Sequence, residues 1–196
     1  MKHYYNPMSR AVTTDWMLKE LGVPHEQVII NISENENYSS EFRMLNPMAK
    51  LPVLVDQENV ITEASAICAY LADKYPEKKL APKPASAQRA AYYRYLFIAG
   101  NTIEPALSLA VSELEYPEPK SAGWGDVKRV LATIESMTPK TEWALGKAFS
   151  AADVVFGGLL DFSVAFNWFD PSPNVEAYVN RLRARPSYQA SHGIHL

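Results

Sequence analysis

A single cysteine, Cys68, stands in a chain of 196 residues, so no intramolecular disulfide and no multi-cysteine zinc site is available. A reducing compartment is the natural setting for such a chain. No run approaches the ~20 apolar residues that a membrane span needs. The opening MKHYYNPMSR lacks the apolar core of a secretory signal. Neither sign of charge dominates, since 19 Lys and Arg against 22 Asp and Glu leave a net charge of −3. That balance gives no footprint for nucleic acid, and a solvated linker explains the small basic cluster Lys78, Lys79 and Lys83. Four histidines, His3, His25, His192 and His195, are scattered without metal-ligand spacing, so no metal is expected. Repeats and low-complexity tracts are also missing. These absences leave a cytoplasmic globular protein with no nucleic-acid or membrane partner.

What is present divides into two halves. The first switches between strand and helix patterns. Residues 3–5 suit a short strand, Ser9 stands before a helix running to Leu21, and Gly22-Val23-Pro24 stops it. Val28, Ile29 and Ile30 suit a second strand; a polar loop, 33–38, and a short helix, 39–45, follow. Residues 52–55 and 60–61 read as a hairpin, after which Thr62 caps a helix running to Tyr75. The order permits a βαβ unit with an antiparallel edge. Beyond the connector 77–84, with its prolines and charges, the patterns are helical. Tyr92, Tyr95, Leu96, Ala99, Ile103 and Leu107 form one stripe of a long helix. Further helices are expected over 126–137, over 150–166 and over 173–184; the middle one is apolar nearly all round, and Gly157-Gly158 permits close approach. Ser150 and Asp153 form a capping-box pair that starts it.

Three separated motifs resemble those of the glutathione transferase superfamily. NPMAKLPVL, from Asn46, resembles its Asn-Pro-x-Gly-Lys-Val-Pro-x-Leu segment. TEASAICAYLADKYP, from Thr62, is similar to its Glu-Ser-x-Ala-Ile helix start, and GKAFSAADVVF, from Gly146, to its Gly-x-x-x-Ser/Thr-x-Ala-Asp motif. The likeness covers essentially the whole chain and points to a bacterial-type cytosolic member, its class open. It implies an α/β plus all-α fold. Residues 1–77 would form a thioredoxin-like glutathione-binding domain on a mixed four-stranded sheet. Residues 84–196 would form a helical bundle contributing the pocket for a second substrate. Two departures stand out: Ala49 replaces a glycine, and Ala64 stands where a serine hydroxyl would contact the ligand.

Glutathione must be held and its thiol, with a pKa near ~8.5, ionised. The start of the first helix offers N–H groups and a positive dipole end. Ser9, there, is the candidate catalytic hydroxyl, or else a plain N-cap. Tyr5 is its rival, since some classes use a tyrosine at the end of the first strand; alternation allows only one of Tyr4 and Tyr5 to face the site. Arg10 would lower the thiol pKa, or is a surface arginine. Pro52 is expected after a cis bond, with Leu51 offering its backbone to the cysteinyl part of the ligand. Glu63 and Ala64, at a helix start, would hold the γ-glutamyl ammonium and carboxylate. Lys50 adds charge near the glycyl end. Tyr92, Tyr95, Phe97, Asn101 and Glu104 are candidates for the second-substrate pocket, with Trp168 and Phe169 as packing or pocket wall, and Cys68 reads as a core thiol.

The implied activity is conjugation of the glutathione thiolate to hydrophobic electrophiles, a detoxification chemistry, in a homodimer with glutathione as co-substrate. The alternatives are glutathione-dependent peroxide or disulfide reduction, and ligand binding without turnover.

Overall fold

The computed structural model describes residues 1–114, 116 and 118–192; His195 lies outside them. The chain forms two units, one of Met1–Lys78 with the segment from Arg185 onward, the other Lys79–Ala184.

In the first unit β1 (Lys2–Tyr5) pairs in parallel with β2 (Glu26–Ile29) and antiparallel with β3 (Val53–Asp56), which pairs antiparallel with β4 (Asn59–Thr62). The sheet order is β2-β1-β3-β4, and the sheet is mixed and four-stranded, as the resemblance implied. Helix α1 (Ala11–Leu21) makes the crossover between the parallel strands. Strand alternation divides the faces. Tyr4 packs edge-on against Phe42 of α2 (Ser40–Leu45) at 5.9 Å, beside Ile30 and Val53. His3, on the opposite face, bonds Thr14 of α1 at 2.7 Å. It is fully buried, and burial, then the charges of His25 and Lys19, push its pKa down to about 3. Helix α3 (Ala64–Lys74) is tied to the hairpin through Asp56, which accepts from Lys74 and from Tyr70 at 2.6 Å. Cys68 is fully buried in α3, and burial pushes its thiol pKa well up, as suits a core residue.

Several boundaries differ from expectation, each for a structural reason. Helix α1 begins at Ala11, because the Ser9 hydroxyl donates to the Asn6 carbonyl at 2.7 Å and Arg10 takes the N-cap position. Thr62 does not cap α3, because it pairs with Val53 in the β4 ladder; Glu63 is the N-cap, with φ 69° and no side-chain cap bond. The helical domain, expected to run to 196, ends earlier. Helix α9 (Pro186–His192) packs on α1 instead. There Tyr188 meets Trp16 edge-on at 5.2 Å, and Arg185 forks onto both oxygens of Glu20 at 2.7 Å.

In the second unit the long helix is α4 (Gln88–Ile98) and α5 (Glu104–Val111), joined by a π turn, Ala99–Ile103. Pro105 follows directly. It lacks an N–H and crowds the carbonyl four residues back, and the Glu104 N–H reaches five back to Ala99. Helix α6 (Val127–Met137) starts where expected, with Asp126 accepting from the Arg129 N–H at 2.9 Å. The buried helix carries a second π turn, Asp153–Gly157, before α7 (Gly158–Ala165). A Cβ on Gly157 would lie 2.4 Å from Leu182 of α8 (Pro173–Arg183), so only glycine allows this approach. No described helix is long and apolar enough to cross a membrane.

Asp153 organises this packing. Its carboxylate accepts from the N–H groups of Ala144 (2.7 Å) and Ser150 (2.9 Å), from the Ser150 hydroxyl and from Tyr178 of α8 (2.9 Å). Burial opposes its charge more strongly than these donors favour it, and its pKa rises to about 6. Asp153→Ala strands several buried donors and is expected to cost about 3 kcal/mol at pH 7. The folded pKa exceeds the unfolded one, so the proton stabilises the folded state. That contribution is complete below pH ~4 and is lost as pH rises through ~6. The mutational loss, read by urea unfolding, should therefore grow by roughly 1 kcal/mol between pH 7 and pH 5. A loss that shrinks on acidification would mean that the donors outweigh burial.

Candidate active site

The strand register gathers the candidate residues. Tyr4 stands opposite Val53, and Val53 opposite Thr62. One step outward, Tyr5, Pro52 and Glu63 therefore form the next row, at the end of the sheet where β1 finishes. Ser9 and Arg10 follow Tyr5 through a short turn, Lys50 and Leu51 lead into Pro52, and Ala64 continues from Glu63. The residues singled out in the sequence thus adjoin this row along the chain.

Each has a distinct setting. Tyr5 is buried on the His3 face, and burial, then the Asp15 charge, raises its phenol pKa, so its hydroxyl keeps its proton. Ser9 is half-buried; it donates to Asn6 and accepts from the Ala11 N–H at 3.2 Å, so it does part of a cap's work one residue before the N-cap. The turn that carries it is fixed by Asn6, whose amide donates to the Ile30 carbonyl at 2.7 Å and whose oxygen accepts from Met8 at 2.8 Å. Arg10 is half-buried at the N-cap position.

The Leu51–Pro52 bond is cis, as expected. The loop before it is pinned by two buried asparagines. Asn46 donates to the Lys50 carbonyl at 2.8 Å, and Asn37 to the Ala49 carbonyl at 2.9 Å. Asn37 escaped the sequence reading because it lies in a polar stretch, where burial leaves no pattern. Lys50 is exposed, Leu51 and Ala64 are half-buried, and Pro52 is buried. Glu63 is exposed, and its φ of 69° lies where non-glycine residues are rare, a conformation that costs of order 1–3 kcal/mol and concentrates at ligand-binding positions. Neither α1 nor α3 is closed by its own N-cap side chain, so both present positive helix ends that suit a carboxylate or a thiolate.

The expected second-substrate residues have unlike settings. Tyr92 is fully buried, and Tyr95 is held in the core by its bond to the Met137 carbonyl at 2.8 Å and by Phe156. Phe97 and Asn101 are exposed, Glu104 is half-buried, and Trp168 packs edge-on against Phe162. Phe169 is half-buried. A cavity of about 330 Å³ in this unit has other walls, among them Leu109, Leu114, Tyr116, Trp124 and Val127.

Comparison with known proteins agrees with this fold. The family model of the glutathione S-transferase N-terminal domain matches residues 1–73. Glutathione S-transferase Z1 of Arabidopsis thaliana is 32% identical over 132 residues, 67% of this chain and 53% of that protein, so the match spans about half of the plant relative. Glutathione S-transferase GstB of Escherichia coli K12 is 26% identical over 181 residues, 87% of this chain and 86% of that protein. The ternary complex of BphK, a bacterial GST, superposes with a TM-score of 0.82 at 25% identity, covering 99% of this chain and 98% of that one. The chain belongs to the glutathione transferase superfamily. A sphingomonad glutathione S-transferase complexed with glutathione fits nearly as well, with a TM-score of 0.80 at 27% identity over 99% and 98% of the two chains.

The departures from the superfamily's motifs can now be weighed. Ala49 is 4% exposed with φ 54°, a left-handed conformation that costs an L-residue roughly 1–2 kcal/mol and glycine almost nothing. Glycine's extra freedom in the unfolded chain takes back part of that difference. Ala49→Gly should therefore raise stability by about 0.5–1 kcal/mol in urea. A decrease would show that the loop tolerates alanine without strain.

Proposed function

We propose that the protein is a glutathione transferase that binds glutathione along the Tyr5–Pro52–Glu63 row and adds its sulfur to an electrophilic carbon. The observation that carries this reading is the start of α3, where an N-cap glutamate with φ 69° leaves the helix end without a side-chain cap, beside the Leu51–Pro52 turn. The γ-glutamyl carboxylate would lie on that helix end, with Glu63 beside the adjacent ammonium. The Leu51 backbone would pair with the cysteinyl backbone as an added strand. Relatives named glutathione S-transferase, and a neighbour solved with glutathione, support the ligand class.

The thiol then comes to the start of α1, where the helix end, Ser9 and Arg10 favour the thiolate. Turning the Ser9 hydroxyl from the Asn6 carbonyl to a thiolate exchanges a neutral bond worth about 1 kcal/mol for a charge-assisted one of about 1.5–3 kcal/mol. The exchange is favourable. The thiolate sulfur attacks the electrophilic carbon, a C–S bond forms, and the leaving group departs with its electron pair; in an addition, the displaced pair takes up a proton. The resemblance also brings a two-fold homodimer into this proposal.

Two expectations follow. Glu63→Gln should weaken glutathione by roughly tenfold in calorimetry, because an exposed counter-charge is partly screened by water; unchanged affinity would remove Glu63 from the site. Ser9→Ala should raise the bound thiol's pKa and lower turnover by ~10²–10³ with affinity nearly intact, while Tyr5→Phe leaves both in place. The ultraviolet absorbance of the bound thiolate reads the first effect. Should the pattern be reversed, Tyr5 is the activating hydroxyl; should neither change matter, the helix end and Arg10 hold the sulfur.

A further inference from the structure

Parallel pairing sets His3 of β1 opposite Gln27 of β2. His25, which just precedes β2, thereby comes beside His3, their rings edge-on at 6.1 Å. Asp15 approaches from α1. One ligand atom from each of His3, Asp15 and His25 lies within 4.8 Å of the other two. The spacing along the sequence hid this cluster, because strand pairing, not local periodicity, assembles it.

Hydrogen bonds fix where the protons sit. The Thr14 hydroxyl donates to the Ala11 carbonyl at 3.0 Å, so at 2.7 Å it accepts from Nε2–H of His3. Nδ1 of His3 is left as a bare lone pair, fully buried and without a hydrogen-bond partner among the described residues. The Val23 carbonyl can only accept, so His25 donates to it through Nδ1–H at 3.1 Å and keeps its lone pair on Nε2. Both imidazoles are thus oriented through one nitrogen and bare at the other, the arrangement found behind metal-ligating histidines. The Asp15 carboxylate is steadied by Gln27 at 3.2 Å and Lys19 at 3.7 Å. A buried orphan acceptor calls for an occupant.

We propose that His3, Asp15 and His25 bind a divalent transition-metal ion of the zinc type, through Nδ1 of His3, Nε2 of His25 and one Asp15 oxygen. Two neutral imidazoles and a carboxylate suit zinc, cobalt or nickel, whereas magnesium and calcium favour all-oxygen sites. Bonds of ~2.0–2.2 Å require the ligands to draw closer together. His25 is half-buried, which gives it room to move and gives the ion an entry path. The Lys19 side chain, 34% exposed, can swing away from Asp15 as the ion takes its place. The site uses none of the residues assigned to glutathione, so it stands or falls apart from that reading.

The test titrates metal-free full-length protein with ZnCl2 by calorimetry and with CoCl2 by visible absorbance. Expected are one ion per chain, intense d–d bands of low-coordinate cobalt, and a zinc-dependent rise in Tm. His25→Ala, at a half-buried turn, should lose at least ~10-fold in affinity and the Tm response, and Asp15→Asn should do the same. Absence of binding, cobalt spectra of the hydrated ion only, or zinc affinity unchanged in folded His25→Ala would each overturn the site and leave the His3 lone pair to a buried water.

Discussion

The antiparallel register that sets Tyr4 against Val53, and Val53 against Thr62, governs the placement of the candidate chemistry, because period-2 alternation turns any slip into an exchange of faces. A one-residue shift of β3 would send Val53 and Leu54 to the wrong sides. It would also separate Pro52 from Tyr5. The register is held from both faces: Phe42 packs beneath Tyr4 and Val53, and Thr14 bonds His3 above. At the far end of the hairpin, Asp56 fastens the strand to α3 through Tyr70 and Lys74. Sheet, hairpin and α3 therefore position the Tyr5–Pro52–Glu63 row together.

At that row the chain departs from its local preferences. Ala49 and Glu63 both adopt positive φ without being glycine, at 54° and 69°, on either side of the Pro52 segment. Such conformations persist only where the surroundings over-determine them. Here Asn37 and Asn46 hold the loop carbonyls on one side, and the β4 ladder followed at once by α3 compels the turn at Glu63 on the other. Free energy of folding is given up where backbone groups are aimed outward, which fits a site built from main-chain donors and acceptors.

Much of this was legible in the sequence. Local signals read true: the helices read from Ser39 and from Asp126 start there, with those residues as N-caps, the one read from Pro173 begins at that proline, and Gly22 ends α1 in the left-handed conformation. The motif around Pro52, through the resemblance it carries, pointed to the cis bond. The misreadings outside the start of α1 share a physical cause, since each depended on a partner on another element. Thr62 reads as a cap until Val53 claims its backbone for the ladder. Arg185 stands just past the C-terminal end of α8, where the macrodipole favours a cation, but Glu20, 165 residues away, takes it into a forked ion pair and binds α9 to the first unit. Asn37 and the His3–His25 pair were invisible for the same reason.

In the proposed reading the two hydroxyls that compete for the thiol differ in what their surroundings let them do. Tyr5 is buried, and burial together with the Asp15 charge holds its phenol in the neutral form, so a thiolate would meet it as a donor. Its ring shares a face with His3, packed at 5.8 Å, and moving it means disturbing that packing. Ser9 sits in a turn whose frame is set by Asn6, and only its hydroxyl need rotate. That rotation releases the Asn6 carbonyl in a half-exposed turn, where water replaces the lost bond at little cost. The Ala11 N–H that Ser9 accepts points into the same region, at the positive end of α1. A thiolate arriving there meets a rotatable donor and a helix end together, both favouring the charged form. Preorganisation at the helix start with freedom in one torsion gives Ser9 the advantage over a ring locked in the core.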